Sequence, residues 1–174
     1  MSHRTRYTLA DSPVGALLLA RNAEGLCALQ FTRGRHPAEA RAEWARDDEA
    51  FADVAAELAE YFEGRRDTFT LPLAPRGTPF QQRVWGELCR IPYGETISYG
   101  ELARRIGQPQ AVRAVGLANG ANPLAIVIPC HRVIGANGTL TGYGGGLPNK
   151  RFLLDLERAA RGTTTPDLFS TAAR

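Results

Sequence analysis

The chain has 174 residues, of which 44% are hydrophobic and 22% charged, an ordinary composition for a soluble globular protein. No apolar run is long enough to cross a membrane, and residues 1–20 lack the layout of a secretory signal. Its three cysteines stand at unrelated spacings that suit neither a disulfide framework nor a zinc site. We therefore expect a cytoplasmic protein that contacts no membrane and holds no metal ion or cofactor.

Basic and acidic residues are divided unevenly along the chain. Residues 1–75 carry nine Arg against twelve Asp and Glu, a net charge of −3. Residues 76–174 carry eleven Arg and one Lys against six acids, a net charge of +6. A basic half suggests a polyanionic partner. A composition biased towards Arg would give the same excess of positive charge, so charge alone does not establish a polyanionic partner.

The N-terminal half has the pattern of a small sheet followed by a helix. Short apolar stretches at 6–10, 15–20 and 26–31, separated by turn residues, predict an antiparallel meander. Residues 37–64 are rich in Ala and Glu, and their apolar residues recur at helical spacing, which predicts an amphipathic helix packed on the sheet. Residues 68–73 are a further strand candidate.

Prolines crowd the segment 72–78 and indicate a linker between two domains. We therefore divide the chain into an N-terminal α/β domain, residues 1–75, and a C-terminal domain, residues 76–174. The C-terminal domain begins with a capping box, in which Thr78 precedes Pro79 and Gln81, so a helix is predicted there.

Two further helices are predicted next to each other. Ser98 and Glu101 form a second capping pattern, and Gly107 ends the helix that it opens. Residues 110–119, rich in Ala, Val and Gly, predict the next helix. Helix, glycine-containing turn and helix is a helix-turn-helix layout, although any helical hairpin has the same pattern.

The last third of the chain contains the most informative segment. Residues 125–128 are an apolar run that predicts a short buried strand, with Cys130 presented at its end. Asn137-Gly138 predicts a hairpin turn, and residues 147–160 predict the last long helix. We expect the tail from Gly162 onward to be a frayed terminus.

The tetrapeptide Pro129-Cys130-His131-Arg132 suggests a reactive thiol. Positive neighbours favour the thiolate, which is the nucleophilic form of cysteine. The alternative is a buried cysteine that acts only as a small apolar side chain. Adjacent residues of a strand point to opposite faces, so His131 acts on Cys130 only if the chain turns there or through a bridging water.

Eight consecutive residues, Ile128–Gly135, resemble the active-site signature of the 6-O-alkylguanine-DNA alkyltransferases. Four other segments fall in the order and spacing of that family: 97–99, 111–116, 122–123 and 143–146. The resemblance implies an α/β (α+β) fold, with a ribonuclease-H-like N-terminal sheet and helix and a mostly helical C-terminal domain that contains a helix-turn-helix.

The resemblance also implies an activity, which is DNA repair by irreversible, single-turnover transfer of the alkyl group of 6-O-methylguanine to Cys130. It leaves open whether 4-O-methylthymine is a second substrate. Water would relay a proton from the thiol to His131, and Glu157 would orient the imidazole. Asn122 would bond across the turn between the recognition helix and the active-site strand. On its own, Glu157 has the pattern of a solvated helix residue.

The same resemblance implies how the base and the DNA are held. Members of this family flip the damaged nucleotide out of the duplex. Their helix-turn-helix enters the minor groove with little sequence preference. The implied contacts to the flipped base come from Tyr99, Tyr143, Gly144 and Val133. Small residues at i, i+3 and i+7 of helix 110–119 leave a thin face for the narrow groove. The predicted DNA contacts are Arg113, Ala111, Ala114, Ala118 and Arg132.

Three other functions fit parts of the sequence. A non-enzymatic binder of alkylated DNA would lack the nucleophile, and Cys130 is present. A cysteine hydrolase would not need a basic helix-turn-helix, and a transcriptional regulator would need a sensor module. We expect a monomer, with cooperative binding along DNA left open.

Overall fold

The computed structural model describes residues 4–162. The N-terminal half contains a four-stranded sheet in the order β3-β2-β1-β4. Its strands are β1 Arg6–Ala10, β2 Leu17–Arg21, β3 Leu26–Phe31 and β4 Ala45–Arg46. The predicted meander is confirmed, because β1–β2 and β2–β3 are both antiparallel pairs.

The predicted helix over 37–64 is wrong in its first half. Helix α1 spans Ala52–Phe62, after a single 3-10 turn at Glu49–Phe51. Strand β4 lies before it and pairs in parallel with β1, through bonds such as Ala45 N–H to the Thr5 carbonyl at 3.0 Å. A strand of two residues is too short to show the alternating pattern by which strands are predicted. It forms because the edge of β1 is free to pair.

Two predicted strands do not form. Residues 68–73 contribute only a single bridge, between Leu73 and Leu26, because Pro72 and the nearby Pro75 cannot donate to a ladder. The run 125–128 is a compact turn in which Ile126 has a φ of 72°. Cys130 therefore begins a 3-10 turn, Cys130–Arg132, instead of lying at the end of a strand.

Four further helices and a second small sheet complete the described fold. Helix α2, Pro79–Leu88, begins with the predicted capping box, in which Thr78 accepts from Gln81 N–H at 3.1 Å. Helix α3 is Tyr99–Arg105, α4 is Val112–Gly120 and α5 is Leu147–Gly162. Strands β5 Ile97–Ser98 and β6 Val133–Ile134 pair in parallel. The Asn137-Gly138 turn follows β6, but no second strand makes it a hairpin.

Helices α2, α3 and α4 pack against one another, and α3 and α4 are the two helices that were predicted next to each other. The Trp85 indole N–H of α2 donates to the carbonyl of Ala118 in α4 at 2.9 Å. Gly107 ends α3 with a φ of 76°, a conformation that favours glycine. The predicted frayed tail begins at Gly162, the last residue of α5, and otherwise lies outside the described residues.

The segment before Cys130 is fixed against the N-terminal sheet. Leu29 donates to the carbonyl of Pro123 at 2.9 Å and accepts from Ala125 N–H at 2.9 Å. Leu29 and Leu124 are fully buried in one apolar core that includes residues of both halves. The sheet edge therefore helps to position the turn that carries the thiol.

Candidate active site

Cys130 lies in the wall of a cavity of about 760 Å³. Its 3-10 turn packs against α5, and the residue is only 7% exposed. The cavity is lined by β3 and the loop after it, by Tyr99, by α4 and by the loop 141–145. The thiol is therefore enclosed by segments that are far apart in the sequence.

The resting form of Cys130 is a thiol, which corrects the expectation of a thiolate in a positive field. Burial raises the pKa of Cys130, although a hydrogen bond from Asn122 and the charge of Lys150 act in the opposite direction. Burial also lowers the pKa of His131, so the imidazole is neutral. The charge of Arg132 is paired with Glu157 and is not available to the sulfur.

His131 and Glu157 form a buried hydrogen-bonded pair. The imidazole Nε2 lies 2.9 Å from Glu157 Oε1, and both side chains are fully buried. The other ring nitrogen, Nδ1, has no hydrogen-bond partner within residues 4–162. A neutral imidazole that donates through Nε2 to a carboxylate leaves Nδ1 as a proton acceptor.

Glu157 is held as a carboxylate by several donors. Arg132 Nη2 donates to it at 2.6 Å, Arg132 Nε donates at 3.0 Å and the Tyr61 hydroxyl donates at 3.1 Å. Burial by itself would raise the pKa of Glu157, but the hydrogen bonds from His131 and Arg132 and the charge of Arg132 outweigh it and lower the pKa to about 2. The carboxylate therefore stays ionised and can orient His131.

Arg132 cannot serve as the predicted DNA contact. It is 6% exposed, and its remaining donor, Nη1, bonds the carbonyl of Ile91 at 2.7 Å. All three of its nitrogens thus face protein acceptors. Its role is to fix Glu157, a function that the motif alone did not indicate.

Asn122 ties the end of α4 to the turn before Cys130. Its amide nitrogen donates to the carbonyl of Ile128 at 2.7 Å, and its amide oxygen accepts from Leu124 N–H at 2.9 Å. This bond across the turn is the geometry that the resemblance implied. It holds the chain on both sides of the compact turn 125–128.

Three of the four residues predicted to contact the base line the cavity, but Val133 does not, contrary to prediction. Tyr99, Tyr143 and Gly144 line it, and the Tyr99 hydroxyl accepts from Thr141 at 3.3 Å. Tyr143 packs edge-on against Phe31, with ring centroids 5.5 Å apart, and its buried hydroxyl has no partner in the described part of the chain. Val133 is fully buried, and its carbonyl is already bonded to Lys150.

Lys150 is a site residue that sequence reasoning missed. It is fully buried, and its ammonium donates to the carbonyls of Val133 at 2.7 Å and Thr141 at 2.9 Å. Burial lowers the pKa of Lys150 to about 8, while the nearby Cys130 acts to raise it. Lys150 is the single lysine in the chain, which is the one sequence signal that could have drawn attention to it.

The predicted DNA-contacting face of α4 is only partly exposed. Arg113 and Ala114 are exposed and Ala111 is half-buried, but Ala118 is 3% exposed and faces the core, contrary to prediction. Val115 and Ala118 both face inward, so Ala118, which is residue i+7 counted from Ala111, is not on the outer face. Leu117, 74% exposed, occupies that face instead.

No helix within residues 4–162 is long and apolar enough to cross a membrane. In the same range, no cluster of three or more His, Cys, Asp or Glu side chains is arranged to hold a metal ion.

Comparison with known proteins gives matches along both halves. Residues 5–75 match the family model described as 6-O-methylguanine DNA methyltransferase, ribonuclease-like domain. Residues 79–159 match the model of the DNA binding domain of the same methyltransferase.

Similar proteins match over most of their length. The methylated-DNA–protein-cysteine methyltransferase of Methanosarcina barkeri is 53% identical over 151 residues, which cover 87% of this chain and 96% of that relative. The methyltransferase of the same name from Mycobacterium tuberculosis is 52% identical over 153 residues, which cover 88% of this chain and 92% of that relative. A crystal structure of M. tuberculosis OGT in complex with DNA has a TM-score of 0.84 at 52% identity, covering 89% of this chain and 94% of that one. The chain belongs to the 6-O-methylguanine DNA methyltransferase family.

Proposed function

We propose that this methyltransferase repairs DNA directly, by moving the alkyl group of 6-O-methylguanine to Cys130 and keeping it. The observation that carries the proposal is the cavity that contains Cys130, whose neighbour His131 is bonded to Glu157 and retains a free Nδ1. Mapping the peptides of protein treated with methylated duplex tests it. The methyl group should lie on the peptide that contains Cys130, not on those with Cys27 or Cys89.

The reaction displaces guanine from its alkyl group. A water between Cys130 and His131 Nδ1 relays the thiol proton to the imidazole, which generates the thiolate as the base arrives. The sulfur forms a bond to the alkyl carbon, and the bond from that carbon to the guanine oxygen breaks with its electron pair left on the base. The base takes up one proton and His131 releases the proton that it received from the thiol, so no proton is gained or lost overall. The product is a thioether without a good leaving group, so each protein molecule reacts once.

The flipped base enters the cavity between Tyr99 and Tyr143. The Gly144 backbone N–H is our candidate to meet the guanine oxygen, because no side-chain hydroxyl stands at that position. 4-O-methylthymine presents a similar alkylated oxygen on a smaller ring, and we propose it as a weaker substrate. Val133 is fully buried, does not line the cavity and already accepts from Lys150 through its carbonyl, so we leave it out of the proposed contacts with the base.

DNA binding places α4 in the minor groove. Its exposed face presents Arg113, Ala114 and the half-buried Ala111, and small residues of this kind allow close approach to a narrow groove. Arg113 is our candidate to fill the space that the flipped base leaves. We further propose that the protein is a monomer. It acts in the reducing cytoplasm, where the thiol persists. A monomer is compatible with cooperative binding along DNA.

A non-enzymatic DNA binder is the second candidate function. The intact nucleophile and its fully buried His131–Glu157 pair favour the transferase, because binding alone would not require a buried relay.

Binding to DNA should weaken steeply as the salt concentration rises. Each phosphate neutralised by a cation releases counterions, so log Kd should change linearly with log salt. Fluorescence anisotropy with unrelated duplex sequences should give similar affinities. A strong preference for one sequence would instead support a transcriptional regulator.

Replacement of Arg113 by alanine should slow repair of duplex DNA at saturating DNA concentration, by roughly 10- to 100-fold. A side chain that fills the vacated stack matters only where the base was paired and stacked. The single-turnover rate with a methylated single strand should therefore change much less. If saturating duplex restores the full rate, Arg113 is only a phosphate contact.

A further inference from the structure

Part of the cavity wall comes from the N-terminal half of the chain. Gln30, Phe31 and residues 35–38 line the same cavity as Cys130. We name residues 32–38 the rim loop, since it continues from β3 into this wall. The N-terminal half thus contributes directly to the place where the substrate is bound.

The rim loop is held in this position by specific backbone contacts. Arg35 N–H donates to the carbonyl of Gly144 at 3.1 Å. Gly34 has a φ of 117°, and a Cβ at this position would lie 2.7 Å from the Gly144 carbonyl oxygen. Only glycine permits so close an approach. The loop is therefore docked on the segment 142–145 that forms another part of the cavity.

The rim loop supplies the basic side chains among the described residues that line the cavity. Among the described residues that line the cavity, Arg35 and His36 are the ones that can carry positive charge, and none is acidic. Both are exposed, and neither side chain makes a hydrogen bond or ion pair with any residue of the range 4–162. The Arg35 guanidinium lies beside Gly142, 3.7 Å from where a Cβ would stand.

We propose that Arg35 binds a backbone phosphate of the flipped nucleotide, with His36 beside it, and that the N-terminal half thereby holds the DNA. The inference rests on the proposed function. A base that enters the cavity leaves its sugar and phosphates at the mouth, and α4 supplies Gly116, Leu117 and Gly120 to the lining of the same cavity. An unpaired guanidinium at that mouth is suited to a phosphate in charge and in geometry.

The test compares Arg35→Ala with Arg33→Ala. Arg33 is a matched control, because it is exposed in the same loop but does not line the cavity. Arg35→Ala should weaken binding of methylated duplex by about 2- to 5-fold at low salt. It should also reduce the slope of log Kd against log salt by about one unit. Arg33→Ala should change both quantities clearly less, and Arg35→Lys should retain most of the binding.

Three results would overturn the inference. The first is an unchanged affinity of Arg35→Ala for the duplex. The second is an equal loss of affinity in Arg35→Ala and Arg33→Ala. The third is that Arg35→Ala loses the same fraction of its transfer rate with the methylated nucleoside, which has no phosphate, as with the duplex. Equal melting temperatures show that both variants are folded. Failure of the proposed function would look different, because wild-type protein would then gain no methyl group from the duplex.

Discussion

Cys130→Ser should abolish alkyl transfer and leave DNA binding within about twofold of wild type. A serine hydroxyl is far less acidic than a thiol, and its oxygen attacks an alkyl carbon much more slowly than a thiolate does. Cys130 is buried in the wall of the cavity and lies outside the exposed face of α4, so the docking surface is unchanged. Transfer is measured by the loss of methylated base from the duplex, and binding by anisotropy.

The matched control is Cys89→Ser, because Cys89 is an exposed cysteine outside the cavity. It should react at the wild-type rate. Transfer that survives in Cys130→Ser, or disappears in Cys89→Ser, would place the acceptor elsewhere.

Glu157→Gln should slow transfer about 100-fold or more at neutral pH. The amide no longer holds His131 as a strong proton acceptor, and it leaves Arg132 buried without a counter-charge. Removing one partner of a buried ion pair also costs about 3–5 kcal/mol of stability. The rate is therefore compared well below the melting temperature of the variant.

Tyr61→Phe is the control for this substitution, since it removes a single hydrogen bond to Glu157. It should cost about 1 kcal/mol of stability and little rate. A comparable loss of rate in Tyr61→Phe would show that Glu157 acts only through packing of the site.

The pH dependence separates the relay from a structural effect. Because burial raises the pKa of Cys130, the wild-type rate should rise towards alkaline pH, and the Glu157→Gln deficit should shrink as hydroxide deprotonates the thiol. Glu157 has a folded pKa of about 2 against an ordinary 4.5, so its contribution to stability is present above pH 4.5 and lost as the pH falls to 2. A deficit independent of pH would leave Glu157 without a role in the relay.

The features that the sequence predicted well are local ones. Thr78 and Gln81 lie within one turn of each other, and the spacing of apolar residues in α5 is helical throughout, so both elements follow from nearby residues. The run 125–128 was misassigned because a short apolar segment suits a buried strand and a buried turn equally.

The features that were missed depend on distant partners. The neighbourhood of Arg132 in the sequence suggests a cation beside a thiol, but Glu157, 25 residues away, pairs with that charge. Lys150 lies near Cys130 because it bonds the carbonyls of Val133 and Thr141, and the rim loop lines the same cavity as Cys130. No local sequence pattern specifies either contact. Ala118 faces inward because α4 packs against α2, a helix that is distant in the sequence.

The most direct measurement is the intact mass of the protein during titration with a duplex that contains 6-O-methylguanine. One methyl group should replace one hydrogen per molecule, and the amount of repaired base should stop at one equivalent of protein, however long the incubation. Unchanged protein mass with repaired DNA, or repair of many equivalents, would contradict irreversible transfer to Cys130.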